Sequence, residues 1–75
     1  MSAYAAFLEE KRAIDQTLID GYRIVGISED LDGSAVTFTR GDTADTVEQA
    51  RLQLLTADAR KYVVTLLITQ MNRTG

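Results

Sequence analysis

The chain contains no cysteine and no histidine among its 75 residues. The first absence excludes disulfide staples. The two together remove the usual zinc and haem ligands, and with them the thiol and Ser–His routes to nucleophilic catalysis. Basic clusters are missing too: Lys11, Arg12, Arg23, Arg40, Arg51, Arg60, Lys61 and Arg73 are scattered, so no patch for phosphate contact stands out. The N-terminus lacks a basic segment followed by a continuous apolar one, so no signal peptide is expected. The longest apolar run, Tyr62-Val-Val-Thr-Leu-Leu-Ile68, falls well short of the roughly 20 residues that span a bilayer. There is no internal repeat and no low-complexity segment.

What remains is a single small domain with a net charge of −3, from 11 acids and 8 bases. Its composition fits a cytosolic or virion-type protein. A core this small barely outweighs the chain entropy lost on folding, so oligomerisation or a partner is expected to supplement it.

The most informative stretch runs from Tyr22 to Arg40. Two β-rich runs, 22–28 and 35–40, flank the acidic segment Glu29-Asp-Leu-Asp-Gly33. Asp32-Gly33 between strand-like runs signals a hairpin, because glycine accepts the positive φ that tight turns demand. In the second run Val36 and Phe38 alternate with Ala35, Thr37 and Thr39, the period of a sheet with one buried face. In the first, Val25 and Ile27 share a face, with Tyr22, Ile24 and Gly26 opposite. A two-residue Asp32-Gly33 loop sets Ile27 against Phe38, but Val25 against Arg40. A four-residue loop, Asp30 to Gly33, sets Ile27 against Val36 and Val25 against Phe38. Cross-strand apolar pairs stabilise a hairpin, so the longer loop is expected. A lone ribbon is marginal in water, and its apolar face needs a helix over it.

Upstream, Ser2 is placed to cap a helix over residues 3–20. Tyr4, Phe7, Leu8, Lys11, Ile14 and Leu18 follow 3–4 spacing on it, a stripe that is apolar apart from Lys11. Gly21 reads as its stop. Downstream, Thr43, Asp45 and Thr46 are candidate N-caps, and Asp45 with Glu48 resembles a capping box. The helix expected from there carries Val47, Ala50, Leu54 and Ala57 on one face. The expected core, over residues 3–56 of one domain covering 1–75, is therefore Phe7, Leu8, Ile14, Leu18, Val25, Ile27, Val36, Phe38, Val47 and Leu54.

From Leu55 onward the stripe rotates to Ala59, Tyr62, Val63 and Leu66. A new helix can start at Thr56-Ala-Asp58, or one long helix can bury two faces. A strand over 62–69 is a third reading, since Val, Thr, Ile and Tyr favour sheets. Helix is preferred, because Gln, Met and Asn follow without turn residues. This C-terminal extension, 57–72, is apolar nearly all round and has no interior left to enter. Tyr62, Val63, Leu66, Leu67 and Met71 are accordingly expected at an interface, with the last residues, 72–75, frayed. The class is α+β: helix, β-hairpin, helix, then an apolar helical extension.

No group of residues reads as an active site, so no catalytic, cofactor or metal residue is expected. The loop from Glu29 to Gly33 lacks the spacing and closing Glu of an EF-hand and reads as a solvated turn. Gly41-Asp42-Thr43 has neither the upstream glycine nor the lysine of a P-loop. In the favoured register Arg23 and Arg40 stand opposite each other, where they can clasp a phosphate or simply end the strands in water. Tyr4, Tyr22 and Tyr62 lie on separate elements and suit packing better than base stacking.

Gly21-x-Arg23, Asp32-Gly33-x-x-Val36-x-Phe38-Thr39 and a Thr/Asp-capped helix from Asp45 together resemble the phage head–tail joining, or head-completion, family typified by gpW. The likeness covers about half the chain, from Leu18 to Leu55. Two departures are a turn about two residues longer than the family's tight one and an apolar C-terminal segment in place of a basic, flexible tail. The resemblance implies a non-enzymatic adaptor, found in host cytoplasm during assembly and then in the virion. Copies would form a ring, twelvefold in such proteins, between the portal of a DNA-filled head and the next connector or tail protein. DNA would pass through without specific binding, and the acidic balance suits such a channel. Two other readings stand beside it. One is a small acidic module that regulates a host protein through Glu9, Glu10 and the acids from Glu29 to Asp32. The other is a nucleic-acid binder using Arg23, Arg40, Arg60 and Lys61.

Overall fold

Residues 3–41 and 46–72 are described by the computed structural model of the chain. Along them, helix α1 (Ala3–Ile19) leads into strands β1 (Arg23–Asp30), β2 (Gly33–Arg40) and β3 (Glu48–Leu54), and then into helix α2 (Ala57–Asn72). The strands form one antiparallel sheet in the order β1-β2-β3, and the chain is a small α+β domain.

Helix α1 ends as its sequence requires. Gly21 takes a φ of 97°, and its N–H donates to the Leu18 carbonyl at 3.0 Å. The Tyr22 N–H donates to the Thr17 carbonyl at 3.3 Å, which completes a Schellman motif and satisfies carbonyls the helix would leave open. The expected caps at Ser2, Thr43 and Asp45 lie outside the described residues.

The hairpin register holds at one end and shifts at the other. Ile27 faces Val36 as the apolar pairing demands, and Asp30 also pairs with Gly33, so the turn is the two residues Leu31-Asp32 rather than four. The Asp30 carboxylate accepts the Asp32 N–H at 2.9 Å, which holds the turn from outside the ladder. Gly33 follows at a φ of 130°, and a Cβ there would stand 2.3 Å from the Leu54 carbonyl oxygen. The position is thus closed to side chains by both backbone conformation and β3. Farther along, Val25 is an extra residue in β1, and the partner of Phe38 becomes Ile24. This bulge turns Val25 outward to 49% exposure and carries Ile24 to the core side at 2%. It also breaks the expected opposition of Arg23 and Arg40: Arg23 pairs with Thr39, and Arg40 with Glu48.

The helix expected from Asp45 is instead strand β3, paired with β2 over seven residues without interruption. Its sequence, Glu-Gln-Ala-Arg-Leu-Gln-Leu, satisfies both periods. Ala50 and Leu54 are helically spaced, yet Ala50, Leu52 and Leu54 also alternate with Gln49, Arg51 and Gln53. Pairing with the raw edge of β2 satisfies that edge's backbone groups and buries Leu54, which outweighs the local helix preference. The expected helix over 62–69 does form, within α2, and its start falls where Thr56-Ala-Asp58 suggested. The Thr56 hydroxyl accepts the Ala59 N–H at 3.2 Å as N-cap.

Both helices pack on one face of the sheet. Ile14, Ile24, Val36, Phe38, Leu54, Ala59 and Val63 form the buried cluster, with Phe7, Leu18, Ile27, Ala50, Leu52, Tyr62, Leu66 and Leu67 half-buried against it. Of the expected core, Leu8, Val25 and Val47 are exposed. Val47 precedes β3, and the helix that would have turned it inward does not form. Leu8 lies on the flank of α1, about 120° from the line through Ile14 that meets the sheet. The expected division into a core of 3–56 and an extension also falls. The second half of the chain supplies the second covering helix, and Val63, expected at an interface, is fully buried in the chain's own core.

The bulge makes adjacent isoleucine and valine unequal. Ile24→Ala should cost about 2–5 kcal/mol in urea denaturation and Val25→Ala less than about 1 kcal/mol. Equal losses would return the strand to the unbulged register.

Candidate functional site

Several polar side chains of the helices are committed to holding the fold, and their geometry narrows the surface left for function. Glu10, one turn before the buried Ile14, turns its carboxylate to the β3–α2 junction. One oxygen accepts the Leu55 N–H at 2.6 Å; the other accepts the Thr56 N–H at 3.1 Å and the Thr56 hydroxyl at 2.6 Å. That junction has left the ladder and not yet entered the helix, so its N–H groups need such an acceptor. The same Thr56 hydroxyl caps α2, and one carboxylate therefore fixes both where β3 ends and where α2 begins.

Lys11, the polar interruption of the α1 stripe, belongs to a second clasp. Its ammonium donates to Asp15 at 2.8 Å and lies 5.0 Å from the centre of the Tyr62 ring, while the Tyr62 hydroxyl donates to the other Asp15 oxygen. Burial opposes ionisation of Asp15, but hydrogen bonds from Lys11 and Tyr62 and the lysine's charge outweigh it and hold the carboxyl below its ordinary value. The hydrogen bond to Asp15, together with burial, raises the Tyr62 phenol, and Asp15 likewise raises Lys11.

At the other end of α2, Gln70 behaves as a detached peptide unit. Its Oε1 accepts the Ile24 N–H at 3.1 Å, and its Nε2 donates to the Ile24 carbonyl at 2.7 Å. Arg60, one turn into α2, pairs with Glu29 near the hairpin turn. Helix α2 is thus fastened along the outer side of β1 at both ends. Arg40 does comparable work on the other side. It donates to the Asp20 carbonyl at 2.8 Å and to Glu48 at 2.8 Å, with its guanidinium 4.5 Å from the centre of the Tyr22 ring. Its pairing with Glu48 raises its pKa further.

These contacts redistribute the candidate residues. Arg23 and Arg40 are not brought together into a phosphate clasp, because Arg40 is held by Glu48 and Asp20. Tyr4, Tyr22 and Tyr62 form no common stacking surface: Tyr4 lies 6.5 Å from Phe7, and the other two sit under Arg40 and Lys11 respectively. No group of three or more acidic side chains among the described residues is placed to hold a metal ion. Of the expected interface, Tyr62, Leu66 and Leu67 half-close the core, whereas Met71 is 64% exposed. Val64 and Ile68, exposed at 36% and 54%, stand with Met71 in a single stripe at i, i+4, i+7 on the outer face of α2. Sequence periodicity passed over Val64 and Ile68 because a helix apolar all round does not declare which side faces the core. A hollow of about 290 Å³ opens between Leu18, Tyr22, Ile24, Leu66, Thr69 and Gln70, where the two helices diverge over the start of β1.

The arrangement defines a class, a three-stranded antiparallel meander with two helices on one face and an apolar outer stripe on the second helix. No protein-family model, curated protein or solved structure matches the chain. No described helix is long and apolar enough to cross a membrane.

The clasp gives a defined pH dependence. Asp15 is depressed on folding, so its contribution is present above its ordinary value of 3.8 and is lost as pH falls through its lower folded value. Tyr62 is raised, so its contribution is present below 10.0 and is lost as pH rises through the folded value. Tyr62→Phe should therefore destabilise by about 1–2 kcal/mol at neutral pH. In urea titrations the gap between variant and wild type should close in strong acid. A gap independent of pH would separate Tyr62 from Asp15.

Proposed function

We propose that the chain is a non-enzymatic structural adaptor of a tailed phage. Its copies assemble as a ring, twelvefold by the likeness to the head-completion family, between the portal of a DNA-filled head and the next connector or tail protein. The observation that carries the reading is the apolar stripe of Val64, Ile68 and Met71 on α2, a helix whose opposite face already closes the core. A domain of this size gains from covering such a stripe with protein, and α2 is fastened to the sheet near both ends. The tight Leu31-Asp32 turn agrees with the family's, and a helix, a hairpin and a later helix follow in the family's order. Strand β3 stands where the resemblance puts its second helix, and α2 follows only after it. The net charge of −3 suits a channel that lets DNA slide.

The reading as a small acidic module that regulates a host protein has less support. Glu10 is held by the β3–α2 junction, Glu29 by Arg60, and Asp30 by the turn it closes. Nucleic-acid binding loses Arg40 and Arg60 to ion pairs in the same way.

The stripe is testable because its side chains are largely outside the core. Ile68→Asp should leave the far-UV helix signal and the melting temperature nearly unchanged, within about 0.5 kcal/mol. It should abolish complementation of a phage deleted for this gene, leaving filled heads without tails. Full complementation by Ile68→Asp would sink the assignment of this face, and a deletion that leaves head–tail joining intact would sink the adaptor role.

A further inference from the structure

The sheet has two edges, and they are not equally protected. On β1, the Val25 bulge interrupts the line of the strand, Gln70 occupies both backbone groups of Ile24, and Arg60 reaches across to Glu29. Among the described residues strand β3 shows none of these devices, and it pairs with β2 without a shift from Glu48 to Leu54. The direction of its backbone follows from Gln70. Because the Ile24 groups point away from β2, the Ile24–Phe38 pair is a non-hydrogen-bonded one, and Phe38 directs its own groups to Ala50. Glu48, Ala50, Leu52 and Leu54 then face β2, while Gln49, Arg51 and Gln53 turn their N–H and C=O groups outward. These groups form a donor–acceptor row whose complement is another extended backbone.

We propose that β3 is a strand-addition site for an extended peptide segment of another protein, with an acidic side chain placed beside Arg51. A second copy of this chain fits the edge poorly, because two antiparallel β3 strands centred on this row would set Arg51 directly against the Arg51 of the copy, like charge against like. A copy cannot offer its β1 either, since α2 is fastened along it. The side chains of an added peptide strand on the open face of the sheet lie against Gln49, Arg51 and Gln53, all exposed, and Arg51 is the one charge among them. The inference uses the sheet edge and not the α2 stripe, so it stands apart from the adaptor reading.

The probe is a displayed library of random nine-residue peptides, selected against the whole protein and followed by amide-resolved NMR with synthesised binders. Selected peptides should be extended, shift the amides of Gln49, Arg51 and Gln53 most, and carry an acid at the position facing Arg51. Arg51→Pro removes one outward N–H while leaving the bonds to β2, and should weaken binding at least about tenfold. Arg51→Glu, which keeps the backbone intact, should reverse the preference to a basic residue, and it serves if the proline variant does not fold. Binders that map to α2, a selection that yields none at β3, or indifference to both substitutions would overturn the proposal. Self-association of the free protein through β3 would overturn it in favour of a second copy.

Discussion

A carboxylate on the first helix decides where the last strand stops. The Leu55 and Thr56 amides lie between ladder and helix, where neither element supplies an acceptor, and Glu10 supplies one with both oxygens. Without it the junction would leave two donors to water at the point where α2 must turn back over the sheet. With it, α2 starts at a fixed place and angle, and Ala59 and Val63 reach the cluster around Phe38. Burial provides most of the stabilisation in this domain, as in any other. The polar latch determines which residues are buried.

The same division of labour recurs at the other end of the helix pair. Gln70 substitutes for a missing strand at Ile24, and this is possible because the bulge at Val25 has brought Ile24 to the core side with its backbone groups facing outward. The bulge therefore has two consequences from one extra residue: it gives the core Ile24 in place of Val25, and it presents a peptide edge to α2. Both helices are tied to the sheet by amide or carboxylate groups on backbone atoms, which are specific in direction where apolar packing is not.

These devices also explain what could be read from the chain beforehand. Helix α1, its stop at Gly21, the Ile27–Val36 pairing and the helix over 62–69 rest on signals confined to a few neighbouring residues, and each is where the pattern put it. Strand β3 is different. Its residues 48–54 fit a helix and a strand equally, and the choice is made by the raw edge of β2, which lies outside any local window. The bulge is equally hidden, since Arg23-Ile-Val-Gly-Ile alternates well enough in either register, and only Gly26 beside Val25 hints at a break. Lys11 in an apolar stripe was the one visible trace of the helix–helix clasp, and its partners, Asp15 and Tyr62, are 47 positions apart. Glu10 and Gln70 carried no trace at all, because their partners are backbone atoms, which every residue has, and for Glu10 also a threonine hydroxyl 46 positions away.

Function follows from the surface that remains once these contacts are made. Glu10, Glu29, Asp30, Arg40 and Arg60 are engaged within the fold, so these charges are poor guides to partners. Among the described residues two surfaces stand out: the exposed outer stripe of α2 and the outward backbone of β3. They differ in what they can recognise. The stripe is apolar and tolerant, and selects by shape and area; the strand edge is directional, and selects for an extended backbone whatever its source. A protein that must hold several neighbours in a fixed geometry needs both kinds of contact, and in this chain they lie on opposite sides of the domain, α2 fastened over β1 and the free edge at β3, so that one can be occupied without displacing the other.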